Sequence, residues 1–160
     1  PQEEFLSLVI WLRIQKKLGS FPKHLDDILQ FDKVHDMEHF LPILHCFKGL
    51  QRASIGVQHP FLHHFEDQYL MPHQRIRFRL NRARYFHLLQ DIELAHQDIT
   101  VGYHLAEQHR FTHYQYLFQH LLLEIEPENQ KYQQRKRSFE KTLLSGISQS
   151  DQQTFLSIHS

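Results

Sequence analysis

One cysteine, Cys46, stands in the whole chain, which excludes an internal disulfide and a cysteine-based zinc site. Only five glycines occur among 160 residues. They form no glycine-rich phosphate loop, and a Walker lysine, a nucleophile elbow and a His-Glu-x-x-His zinc motif are all missing. No apolar run approaches the roughly 18 residues that span a bilayer. The longest, Leu8 to Leu12, is far too short. Glu3 and Glu4 stand where a secretory leader would be basic, so no leader is expected and the cytoplasm is the expected compartment. The first residue is Pro1 rather than Met, which suits a piece of a longer chain. Asn-Gly and Asp-Gly hairpin turns are also missing.

What is abundant is histidine, at 15 residues. These titrate just below neutrality, so the chain gains positive charge as the pH falls. Lysine plus arginine equals aspartate plus glutamate at 18 each, but the charge is unevenly placed. Residues 71–90 carry five arginines and no acid, whereas residues 91–128 carry seven acids and one arginine. At 41% apolar and 12% aromatic residues, the chain is globular and long enough for one domain, 1–160, with a real core.

The apolar spacing is helical throughout and predicts an all-α fold of about seven or eight helices in antiparallel hairpins. Phe5, Leu8, Val9 and Leu12 mark a helix that Gly19 ends, and Pro22 opens a second. Further helices are expected over 40–53, with Gly56 beyond the end, and over 60–70, stopped before Pro72. Phe78, Arg82, Tyr85, Leu89, Ile92, His96 and Ile99 fall on one seam, which predicts a single helix over 74–97. Residues 100–124 and 129–145 are expected to form the next two, and Ser150 with Gln153 caps a short last one.

Residues 18–31 and 102–132 resemble tetratricopeptide hairpins, through Gly19 and Phe21 in one, and Gly102, Phe111, Phe118 and Pro127 in the other. His24 and Tyr114 stand where that family places a small alanine, and no steady repeat period runs through the chain. The resemblance implies helical hairpins in a bundle or short stack.

Histidine pairs four apart occur at His35/His39, His59/His63 and His109/His113, against about 1.4 expected by chance. Glu93 with His96, and His120 with Glu124, are the candidate carboxylate–histidine metal ligands. The segment HHFEDQYLM, 63–71, faintly resembles the hemerythrin signature but lacks the spacing that would supply its His-x-x-x-Glu. Arg82 to His87 and Arg52 to His59 are similar to the Arg-x4–6-His motif of the HEPN ribonuclease family. Ala83 stands where that family prefers a polar residue, and two matches are no more than the roughly three expected by chance. No metal or other cofactor is expected, and catalysis is not.

Two basic segments, 75–84 and 131–141, are candidate nucleic-acid footprints. Their residues are Arg75, Arg77, Arg79, Arg84, Lys131, Arg135, Lys136 and Arg137, with Tyr85 and Tyr132 as stacking partners. The competing role is pairing with Asp91, Glu93, Asp98, Glu124, Glu126 and Glu128. Arg82 and His96 interrupt the apolar seam and are expected either at its edge or hydrogen-bonded within it, Arg82 partly buried against a carboxylate. The expectation is a non-catalytic helical module that binds another macromolecule, first a protein, second a nucleic acid, and no membrane; a histidine–carboxylate metal-binding bundle is the remaining alternative.

Overall fold

The computed structural model describes residues 41–145. The described residues form six α-helices and one 3₁₀ turn, with no strand among them. They are α1 (Leu41–Ala53), α2 (Pro60–His64), the 3₁₀ turn (Asp67–Tyr69), α3 (Pro72–Leu88), α4 (Ile92–Gln108), α5 (Thr112–Ile125) and α6 (Gln130–Leu144). The all-α class follows from the sequence as expected. The helices expected before residue 40 and after residue 146, the hairpin at 18–31 and the pair His35/His39 lie outside the described residues.

Three boundaries differ from expectation. The helix expected over 60–70 is one short turn, after which Phe65 and Glu66 are extended. The helices expected over 74–97 and 100–124 are three helices, broken at residues 89–91 and 109–111. Each break is a left-handed turn built on a residue other than glycine. At the first, Gln90 takes φ 62°, Asp91 N–H donates to Phe86 O, and Gln90 N–H to His87 O. At the second, Arg110 takes φ 56°, Phe111 N–H donates to Ala106 O, and Arg110 N–H to Glu107 O. This is the paired hydrogen-bond pattern that normally closes a helix on glycine. Asp91 then caps α4 by accepting from Leu94 N–H at 3.3 Å, and Asn129 caps α6 from Tyr132 N–H at 3.4 Å.

The helix α3 is the centre of the described fold and is buried on two sides. Phe78, Tyr85 and Phe86 pack with Cys46, Leu50 and Ala53 of α1, Leu62 of α2 and Ala95 of α4. Ile76, Leu80 and Ala83 pack with Ile99 and Ala106 of α4 and Phe118, Leu121 and Leu122 of α5. A helix that faces two cores has no single apolar stripe, which is why basic and apolar residues alternate along RIRFRL without forming a strand. The inward stripe of α4 is Ala95, Ile99, Gly102 and Ala106. Its small residues admit bulky neighbours. A Cβ on Gly102 would lie 2.2 Å from Phe118 Cζ, so only glycine fits there. Gly102 therefore sits in mid-helix rather than near a helix start. Gly49 does the same for Leu62, whose Cδ1 would be 2.2 Å from an added Cβ.

Candidate interaction surface and the polar clusters behind it

The arginines of α3 divide by what they touch. Arg82 is 8% exposed and grips Asp98 of α4 with two bonds of 2.7 Å, from Nε to Oδ2 and from Nη2 to Oδ1. Its Nη1 donates to Phe65 O at 3.1 Å and Leu62 O at 3.3 Å, satisfying carbonyls that the abrupt end of α2 leaves open. The guanidinium carbon also lies 4.9 Å from the centre of the Phe78 ring. The sequence-based expectation of a buried arginine against a carboxylate is met.

Arg79, a candidate nucleic-acid contact in the sequence, bridges two buried carboxylates. Its Nη1 donates to Asp98 Oδ1 at 2.6 Å, and Nη2 with Nε holds both oxygens of Asp67. Arg75 Nε adds a bond of 3.2 Å to Asp67 Oδ2. Burial alone would raise the Asp67 carboxyl, but the Arg79 hydrogen bond and charge, with those of Arg75, hold it below the usual range. The same pairing, against the effect of burial, holds Arg79 above its ordinary value. Three arginines of the dense basic run thus stitch the 3₁₀ turn, α2, α3 and α4 together. Arg77 and Arg84 are half-buried. Burial pushes Arg84 down, and the nearby charge of Glu124 on α5 opposes it.

The carboxylate–histidine candidates do not converge. His96 pairs with Glu126 at 3.1 Å, while Glu93 is exposed on the outer side of α4. His120 pairs with Glu124 at 3.0 Å on α5. That hydrogen bond, outweighing burial, keeps Glu124 below the usual carboxylate range, with Arg84 and His87 adding to it. Among the described residues no group of three or more His, Cys, Asp or Glu is placed to hold a metal ion. His59 and His63 do meet, but around a tyrosine. Tyr85 OH accepts from His59 N–H at 2.7 Å and lies 3.0 Å from His63 Nε2. The sequence marks this cluster only by the four-residue spacing of those two histidines.

The second basic segment is arranged differently. No residue of α6 is buried. Its inner side meets the core through Tyr132 and through an edge contact between Phe139 and Tyr103, 6.5 Å apart. Tyr116 donates to Glu140 at 3.3 Å, and burial followed by that carboxylate pushes the Tyr116 hydroxyl up to about 12. Lys136 faces Glu140 at 3.6 Å. Lys131, Arg135, Arg137 and Lys141 are exposed and form no ion pair among the described residues. The outward side of α6 is therefore a basic surface on a regular helix, with no carboxylate paired to these four cations among the described residues.

No protein-family model matches the chain, and neither a curated protein nor a solved structure is significantly similar to it. No helix of the described residues is long and apolar enough to cross a membrane.

Proposed function

We propose that this chain is a non-catalytic helical module that docks an acidic protein surface through the outer face of α6. The reading rests on one observation: four cations on α6 are exposed and pair with no carboxylate among the described residues, whereas Arg75, Arg79 and Arg82 hold Asp67 and Asp98 inside the fold. That division supports a protein partner over a nucleic acid. A phosphate backbone is best gripped by many contacts at once, and the densest basic run is engaged elsewhere. A single basic helix whose aromatic residues anchor its inner side suits a helix-sized acidic groove or patch.

The test is retention on immobilised chain, wild type against a variant with Lys131, Arg135, Arg137 and Lys141 all replaced by serine. Proteins held by the wild type and lost by the variant are then purified and titrated directly by calorimetry. A directly binding acidic protein whose affinity falls with salt supports the reading. Equal binding of that protein to both chains refutes it. Tight, salt-dependent binding of mixed-sequence oligonucleotides to the wild type alone replaces the protein partner with a nucleic acid.

A further inference from the structure

From Leu41 to Phe65 the chain carries Lys48, Arg52 and four histidines, and no acid. The fold gathers most of them at one junction. Gly56, at φ 72°, turns the chain after α1, with Val57 N–H donating to Arg52 O and Gly56 N–H to Ala53 O. That turn brings His59 back against α1, where it meets His45. There its backbone N–H is fixed by Tyr85 OH, and its Nε2 lies 2.9 Å from His45 Nδ1.

Two buried polar atoms at this junction have no hydrogen-bond partner among the described residues: Arg52 Nε and His59 Nδ1. His59 is only 7% exposed. An unmade hydrogen bond on a buried polar atom is costly, so two together point to a ligand that would complete them. The surrounding bonds define what they offer. Tyr85 is fully buried and already accepts from His59 N–H, so its own proton goes to His63 Nε2, 3.0 Å away. His63 then carries its proton on Nδ1. If His45 Nδ1–H donates to His59 Nε2, His59 Nδ1 is a further N–H donor, and this is the tautomer that an anion at the junction would select. Arg52, His59 and His63 form no ion pair with a carboxylate among the described residues.

We propose that the α1–α2 junction binds an oxyanion of the phosphate class, held by Arg52 Nε–H and His59 Nδ1–H. Planar guanidinium and imidazole donors with no competing carboxylate suit such an anion. Its charge is met by Arg52, because His59 itself is neutral. Burial first, then the charges of Lys48, Arg52 and His63, push its pKa down to about 4. Phe61, stacked on His45 with ring centres 3.7 Å apart and on Phe65 at 4.9 Å, forms an apolar wall beside His59.

The test is a titration of the full chain with inorganic phosphate at constant ionic strength, chloride being exchanged out. Histidine side-chain nitrogens are followed by long-range proton–nitrogen NMR, and phenyl phosphate is titrated in parallel. His59 Nδ1 should shift saturably with a dissociation constant in the millimolar range or tighter. A response to inorganic phosphate identifies a free ion, and a response to phenyl phosphate alone identifies a phosphoryl ester; either supports the site. Arg52→Gln should weaken binding by about tenfold or more, as expected for one charge-assisted hydrogen bond. Arg135→Gln on α6 should leave it unchanged. If Arg52→Gln fails to fold, Arg52→Lys keeps the charge without the Nε–H and should still bind several-fold more weakly. The proposal is overturned if His59 Nδ1 stays unmoved by both ligands. It is equally overturned if Arg135→Gln weakens binding as much as the Arg52 variants do.

Discussion

Asp67, Asp98 and His59 are the side chains whose burial most constrains the chemistry of this protein. Asp67 is 3% exposed and keeps its charge only because Arg75 and Arg79 surround it. Asp67→Asn would leave Arg79 half-compensated in a buried place, at a cost of about 3–5 kcal/mol. Its urea midpoint should drop accordingly; a loss below about 1 kcal/mol would mean that water already solvates the pair. His59 acts in the opposite sense, being kept neutral. Burial and the cations Lys48 and Arg52, with His63, hold its pKa near 4 in the folded chain against 6.5 when unfolded. His45 and Tyr85 also face it, and no carboxylate does among the described residues. The unfolded chain therefore binds the extra proton first. Stability from this residue is complete above about pH 6.5 and falls as the pH drops towards 4, by on the order of 3 kcal/mol in all. Asp67 and Glu124, both held below their ordinary values, lose their contributions further into acid. In urea titrations from pH 7 to pH 4, His59→Gln should flatten the upper part of the decline. An unchanged slope would show that His59 titrates normally.

Among the described residues three helices end in the same left-handed turn, and of these α1 alone uses glycine to do it. Gly56 is the residue for that position, while Gln90 and Arg110 adopt φ 62° and 56° at a steric cost. Gln90→Gly and Arg110→Gly should each raise stability by up to about 1 kcal/mol, read as an increase in urea midpoint. Gly102→Ala should act the other way, by about 1–3 kcal/mol, because the new Cβ displaces the Phe118 ring. The same turns explain which boundaries the sequence revealed. The end of α1 was legible because Gly56 announces it. The breaks at 90 and 110 were not, because the helical seam runs on from Tyr85 through Leu89 and Ile92 to His96 and Ile99, and the two turn residues are ordinary polar ones. Asp91 was the available signal, as a cap three residues before Leu94. The end of α2 was hidden too, because its open carbonyls are met from a distance by Arg82.

At the scale of the molecule, the two dense basic runs among the described residues lie in different places. The run at 75–84 is drawn inward as struts between helices, and the run at 131–141 stays outside. Sequence alone could single out Arg82, whose place on the apolar seam demanded a partner, and could name Asp98 among the acids near enough. It could not assign Arg79, because Asp67 belongs to a different block of the chain and reaches α3 only through the 3₁₀ turn. Nor could it separate α6 from α3 as a surface, since local basic density is the same signal in both. Interaction through α6 should be strongly salt-dependent, and Arg135→Glu with Arg137→Glu should abolish it while shifting the urea midpoint by no more than about 1 kcal/mol. The inward use of the α3 arginines is tested most directly by a double-mutant cycle between Arg82 and Asp98, read from urea unfolding of Arg82→Ala, Asp98→Ala and the pair. The two single variants should each lose several kcal/mol, and the double variant should lose about 2 kcal/mol or more less than their sum. Single variants that each cost under about 1 kcal/mol and add without coupling would contradict the account, and would return these arginines to the surface as a candidate binding face.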